Sequence, residues 1–204
     1  MPPATPRPAA SVIPLRRGGR HSDRGLELLL LKRSDGSGFM PGVWVFPGGA
    51  VDEADGAGEA GFRACAVREL AEEAGLELAG DAELVAFSHW ITPEEAPVRF
   101  DTRFYLALAP PHSKPRPDGF ETVEAAWWGP AAALGAHREG TLSLVFPTIK
   151  QLERLVEFYS SEEAIESSRN KSVEAILPRV IGEGEEQRIV LPGEPGYPAE
   201  AAPG

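Results

Sequence analysis

Glu69, Glu72 and Glu73 crowd one short stretch, Arg68–Leu76 (RELAEEAGL), and their spacing is the first chemical signal in the chain. On a helix turning about 100° per residue, the three carboxylates share one arc, while Ala66, Val67, Leu70, Ala71 and Ala74 occupy the other side. Like charges three and four residues apart cost roughly 0.2–0.5 kcal/mol per pair. The cluster is therefore either a solvent-screened acidic face or a seat for a cation. Carboxylates are the hard oxygen ligands that Mg²⁺ takes, with waters and substrate phosphates completing its shell. A Pro47-Gly48-Gly49 turn lies upstream of the same helix. The chain holds 31 acidic against 20 basic residues, a formal net charge of −11. Nucleic acid is bound chiefly by Lys and Arg neutralising phosphates; without a basic stripe, nucleic acid is excluded as a partner. A small phosphate ester is not, because metal ions can mediate its contact with an acidic protein.

The elements that must hold these residues follow from pattern. Strands are expected at 9–15, 26–32 and 43–46, the second a continuous apolar run buried on both faces. "LRRGGR" at Leu15–Arg20 reads as a solvated loop. The stretch "AVDEADGAGEAG" is a loop feeding a helix over 59–74, which Gly75 ends. Strands at 84–91 and 99–109 are joined by "TPEEAP" in a hairpin-like connection, the second alternating around Phe100, Phe104 and Leu106. Another strand is expected at 122–128, then a short helix in "PAAALGAHREG". An amphipathic helix follows over 147–159, with Ile149, Leu152, Leu155 and Val156 on one face. The remainder has room for a helix and a short strand ("RIVL") before a Pro/Gly-rich tail. Strands on both sides of a central helix predict mixed α/β layers rather than a parallel doubly wound sheet.

The expected organisation is a flexible N-terminal arm at 1–8, a main domain at 9–160 and an extension at 161–204 packed on or near it. No apolar run approaches the roughly 20 residues needed to cross a bilayer, so no membrane contact is expected. "MPPATPRPAA" has no apolar signal region. A single cysteine, Cys65, forms no internal disulfide, which fits a reducing, cytoplasmic setting.

"RELAEEAGL", with Gly-Gly upstream, resembles the signature of the Nudix hydrolases: Gly, five residues, Glu, seven residues, then Arg-Glu-apolar-any-Glu-Glu-any-Gly-apolar. Arg68, Glu69, Leu70, Glu72, Glu73, Gly75 and Leu76 fill the second half. The first half departs. Counted forward from Gly49, its Glu slot falls on Asp55; counted back from Arg68 it falls on Ala60, beside Glu59. Asp55 and Glu59 both remain candidates. The resemblance implies an α/β/α sandwich with a mixed sheet, carrying a loop–helix–loop metal platform. It also implies hydrolysis of a nucleoside diphosphate linked to another group, assisted by Mg²⁺ or Mn²⁺. By position, Glu72 and Glu73 are metal ligands and Glu69 a ligand or water-activating base. The Gly49 carbonyl adds an oxygen ligand, and Arg68 holds a carboxylate in place. The family often takes a general base from outside the signature, for which Glu121 or Glu124 is placed; a homodimer is a further family-level expectation.

"LLLKRS" followed by Gly42-x-x-x-Phe46-Pro47-Gly48-Gly49 resembles part of the extra motif of coenzyme A pyrophosphohydrolases in this family. Leu31 stands where that motif has Thr, and its middle Arg has no counterpart. The longer stretches "GFMPGVWVFPGGAVDEAD" and "WITPEEAPVRFDTRFYLA" are similar to a coenzyme A diphosphatase-like subgroup. The resemblance implies coenzyme A or an acyl-coenzyme A as substrate, giving 3′,5′-ADP and 4′-phosphopantetheine. The alternatives are an ADP-ribose or dinucleotide pyrophosphatase and a non-catalytic nucleotide-sensing module. Arg33, Arg99 and Arg103 are the expected phosphate contacts, because Arg forms paired hydrogen bonds to phosphate oxygens. Trp44, Trp90, Trp127 and Trp128 serve either to stack on adenine or to fill the core. His89 and Cys65 read as structural.

Overall fold

Leu28, Leu29, Leu30 and Leu31 are all fully buried, and together they set the architecture. Successive strand side chains point to opposite faces. Leu28 and Leu30 enter one core; Leu29 and Leu31 enter a second. An unbroken apolar run is thus satisfied by an interior strand covered on both sides.

The computed structural model describes residues 3–18, 25–38, 40–79, 83–182 and 184–198. Within them, eight strands form one sheet: β1 (Arg7–Arg17), β2 (Leu26–Arg33), β3 (Trp44–Val45), β4 (Gly48–Ala50), β5 (Val85–Ile91), β6 (Phe100–Leu108), β7 (Thr122–Trp128) and β8 (Ala175–Ile176). The order is β3-β2-β1-β6-β5-β8, with β4 also on β1 and β7 also on β2. β1 runs parallel to β6 but antiparallel to β2, and β5 is antiparallel to β6. The sheet is therefore mixed. α1 (Gly58–Ala74) covers one face through Cys65, Ala66, Leu70 and Ala74. On the other face lie α2 (Pro130–Arg138), α3 (Phe146–Leu155) and α4 (Ser161–Ser168), packed through Ala133, Leu152, Leu155 and Ile165. The expected α/β/α sandwich is the observed architecture.

Several details depart from the pattern-based expectation. β1 begins at Arg7, so Arg7 and Pro8 pair with Phe100 and Asp101 rather than lying in a free arm. The open edge of β6 supplies the backbone partners that no local sequence signal announces. Val67 is 38% exposed, while Glu73 is 3% exposed; α1 sits rotated so that its last turn buries one of its carboxylates. α3 stops at Leu155, because Ser160 has already turned to bridge with Gly25. After β8 come two further strands, β9 (Arg179–Ile181) and β10 (Arg188–Val190), forming their own antiparallel pair. The short strand expected at "RIVL" is β10; its partner β9 ("RVI") is an additional strand. The end of "LRRGGR", Gly19–Arg20, lies outside the described residues.

Candidate active site

β4 and the C-terminal half of α1 build the site together. The Gly48 N–H donates to Glu73 Oε2 at 2.9 Å. At Gly49, an added Cβ would come within 2.6 Å of the Glu69 carboxyl carbon. Glycine here leaves the space that the Glu69 head occupies. α1 ends at Gly75, whose φ of 60° is easy for glycine and lets its N–H close on Ala71 and Leu70 carbonyls. The helix is thereby stopped one residue after the last carboxylate turn.

Burial pushes Glu73 up to about 8, with Glu69 and Glu121 adding to the rise; the Gly48 N–H and the Arg33 charge oppose it. Burial also raises Glu69, and Arg68 opposes that shift. Glu72 is the accessible member, its side chain 60% exposed. Ionising all three together calls for positive charge beside them.

Arg68 supplies part of that charge. Its Nε and Nη2 grip Asp55 Oδ1 and Oδ2 at 2.9 and 2.8 Å. Its Nη1 reaches Glu69 Oε1 at 2.8 Å and Glu72 Oε2 at 2.9 Å, and Nη2 also donates to the Ala50 carbonyl at 3.2 Å. The guanidinium holds Asp55 below its usual value despite burial, and its own proton is held correspondingly more tightly. Asp55 sits in a 3₁₀ turn, Glu53–Asp55, that folds the long loop back onto α1. Glu59 faces other partners: Arg63 at 2.9 Å, Arg103 at 2.6 Å and the Tyr105 hydroxyl at 3.0 Å. Of the two candidates for the displaced carboxylate, Asp55 is the one joined to the glutamate cluster.

These groups open onto a cleft of about 810 Å³. Arg33 and Glu121 line it, as do Glu69, Glu72, Glu73 and Gly49. Arg33 also donates to Ser37 Oγ at 2.7 Å. Glu124 is turned away, paired with Lys32 at 2.7 Å, which separates the two candidate bases. Two expected phosphate contacts are corrected. Arg99 is 6% exposed, and its guanidinium is committed to the carbonyls of Thr92 and Ala4 at 3.0 and 2.7 Å. Arg103 projects from β6 opposite to Phe100, Thr102 and Phe104, which line the cleft; it lies over the Phe62 ring, 4.4 Å from its centroid. Arg7 lines the cleft; the proline-rich composition places it in the arm, and only the β1–β6 pairing brings it in. Of the four tryptophans, Trp90 lines the cleft, whereas Trp127 lies beneath Arg16, 4.3 Å away. His89 is bonded to Asp101. Burial pushes the Cys65 thiol up to about 12, fitting its packing role.

Among the described residues, no group of three or more His, Cys, Asp or Glu is arranged to hold a metal ion by itself. Arg68 occupies Glu69 and Glu72, and the Gly48 amide occupies one Glu73 oxygen. The donor set nonetheless fits a hard divalent cation in kind: carboxylates beside a glycine carbonyl, open to further oxygen ligands from the cleft.

Comparisons with known proteins bear on the family and the fold. The NUDIX domain family model matches residues 5–145. Putative nudix hydrolase 7 of Caenorhabditis elegans is 31% identical, over 73% of this chain and 60% of its own length, so the chain spans about three-fifths of that relative. Acyl-coenzyme A diphosphatase NUDT19 of Gallus gallus is 27% identical, over 95% of this chain and 80% of that protein. Among solved structures, a NUDIX hydrolase from Alicyclobacillus acidocaldarius superposes with a TM-score of 0.72 at 26% identity, covering 82% of this chain and 99% of the other. Among the described residues, no helix is long and apolar enough to cross a membrane.

Proposed function

The chain belongs to the NUDIX family of diphosphate-cleaving hydrolases, and from that premise we propose that it hydrolyses coenzyme A or an acyl-coenzyme A to 3′,5′-ADP and a 4′-phosphopantetheine product. The observation that carries this reading is a single cleft joining the carboxylate cluster, three arginines and a long apolar wall. A charged diphosphate and an extended, weakly polar arm are the two halves of such a substrate. The name of the chicken relative supports the same choice.

In the proposed reaction, a water oxygen bonds to one phosphorus while the bridging P–O bond breaks, and the leaving phosphate keeps the electron pair. Glu121, which lines the same cleft next to Thr122, the hydroxyl donor to the Glu73 carbonyl, accepts the proton from that water. Arg33 and Arg7 bind phosphate oxygens and hold the diphosphate in line. Arg68 positions Glu69 and Glu72, itself steadied by Asp55. Members of the family generally use divalent metals; here Glu69, Glu72, Glu73 and the Gly49 carbonyl would hold Mg²⁺ or Mn²⁺. Such an ion neutralises phosphate charge and acidifies a bound water.

The test is parallel turnover of coenzyme A, ADP-ribose and NADH in Mg²⁺ and in Mn²⁺. Coenzyme A compounds are expected to give the highest kcat/KM by at least about tenfold, or roughly 1.4 kcal/mol of transition-state preference. Equal or absent coenzyme A turnover refutes the substrate while leaving the hydrolase intact.

A further inference from the structure

The C-terminal extension forms part of the cleft. β8 joins the sheet edge parallel to β5, with Ala175 opposite His89 and Ile176 opposite Trp90. The chain then passes through Leu177 and Pro178 into the β9–β10 pair, where Ile189 stands opposite Val180. Two contacts fix this pair in place. Arg179, with a side chain 14% exposed, binds Glu94 in the β5–β6 connection at 2.6 Å. The Tyr197 hydroxyl donates to the Leu177 carbonyl at 2.8 Å.

Pro178 and Ile189 consequently line the cleft alongside Trp90, Ile91, Phe100 and Phe146, and Trp90 meets Phe146 edge-on at 6.1 Å. None of these six side chains carries charge. Strand order sets the spacing: counted from β4, which carries Gly49, β6 is two strands away, β5 three and β8 four. At about 4.8 Å per strand, Phe100 on β6 stands about 10 Å from Gly49 across the sheet, and the segment after β8 that holds Pro178 about 19 Å. The pantetheine arm, shared by free and acylated coenzyme A, spans the nearer part of this wall, and an aliphatic chain beyond its sulfur meets the far part at Pro178 and Ile189.

We propose that the β9–β10 pair, through Pro178 and Ile189, is a specificity wall that binds the acyl chain of the substrate and favours acylated over free coenzyme A. The inference rests on the coenzyme A reading above and adds the residues that choose among its members. An apolar chain gains from leaving water against this surface, and a charge placed there penalises the acylated substrate alone.

The test compares the full-length wild type with Ile189→Asp and Ile189→Ala, Ile189 being 37% exposed and so tolerant of replacement. Hydrolysis of coenzyme A and of octanoyl-coenzyme A is measured with Mg²⁺, and binding of octanoyl-pantetheine, which has no diphosphate, is followed by calorimetry. The aspartate variant is expected to lose about tenfold in kcat/KM for octanoyl-coenzyme A, mostly in KM, with coenzyme A turnover held within about twofold; alanine gives a smaller loss of the same kind. Both substrates falling by one factor, or neither falling, overturns the wall and leaves the coenzyme A activity standing. If the wild type cleaves no coenzyme A compound, the substrate reading has failed. In that case octanoyl-pantetheine binding lost in the aspartate variant still supports an acyl-binding wall, and its absence from the wild type overturns it.

Discussion

Replacing Asp55 by Asn separates two assignments that spacing alone leaves open. The carboxylate is 4% exposed and makes a two-pronged contact with Arg68. A hydrogen bond to a charged group contributes about 1.5–3 kcal/mol, and breaking a fully buried ion pair costs about 3–5 kcal/mol. Arg68 is a quarter exposed and keeps Glu69 and Glu72, so the lower end applies, at about 2 kcal/mol. For a chain of this length, each kcal/mol moves Tm by about 2–4 °C, giving a fall of about 4–8 °C. The functional loss is indirect. With Asp55 neutral, Arg68 loses its fixed end, and the carboxylates it orients lose theirs; supporting residues of this kind typically cost about 10–100-fold in metal affinity or activity.

Glu59→Gln is the matched control. Its side chain is 45% exposed, its ion pairs with Arg63 and Arg103 contribute about 0–1 kcal/mol as surface pairs, and turnover stays within about twofold. The assay is thermal unfolding together with Mn²⁺ titration and single-substrate kinetics on all three proteins. A silent Asp55→Asn beside an inactive Glu59→Gln would refute the assignment. The pH dependence adds a sign. Arg68 lowers Asp55 in the folded state, so its stabilisation is complete above the unfolded value of about 3.9 and is lost as pH falls toward the depressed folded one. Asp55→Asn should therefore narrow the stability gap to wild type as pH drops through that window.

Gly49→Ala forces the Glu69 head aside, since the new Cβ would stand 2.6 Å from its carboxyl carbon. Turnover is expected to fall at least about 100-fold while Tm shifts by only a few degrees, and wild-type rates would show that Glu69 is not needed where it stands. Arg99→Ala and Arg33→Ala should fail differently. Arg99→Ala loses its buried bonds to Thr92 and Ala4, about 2–3 kcal/mol of stability, with KM unchanged; Arg33→Ala raises KM about tenfold or more with Tm nearly constant. Reversal of that pattern in denaturation and steady-state kinetics would return Arg99 to the phosphate.

What the sequence discloses about this site is what one helix encodes locally. Arg68, Glu69, Glu72 and Glu73 lie within two turns, so helical spacing alone predicts that they share a surface, and α1 bears that out. Its burial cannot be read the same way, because Glu73 is 3% exposed where distant strands close over it, β4 through the Gly48 bond 25 residues away and β7 through Thr122. The fold was legible for similar reasons: the Leu28–Leu31 run carries its two-faced burial in four residues. Arg103 shows a signal present but unused. It has odd parity against Phe100 and Phe104, so alternation alone turns it from the cleft, and β6 does so. Arg7 is the opposite case: its place depends on a parallel pairing with Phe100, a contact across 93 positions that no local periodicity records.

The same distinction accounts for Asp55. Signature counting assumes a loop of fixed length, whereas the 3₁₀ turn at Glu53–Asp55 takes up the extra residues and returns a carboxylate to Arg68. The shorter side chain suffices because the turn brings its backbone closer. What the loop must conserve is therefore the reach from backbone to guanidinium rather than a residue count. On that reasoning the charge relation governs the site: Glu69 and Glu72 are kept together by a guanidinium that is itself held from behind, while the buried Glu73 is tied to the Gly48 amide. If Glu69 and Glu72 were to hold a divalent ion in place of Arg68, the guanidinium would keep Asp55 as its partner.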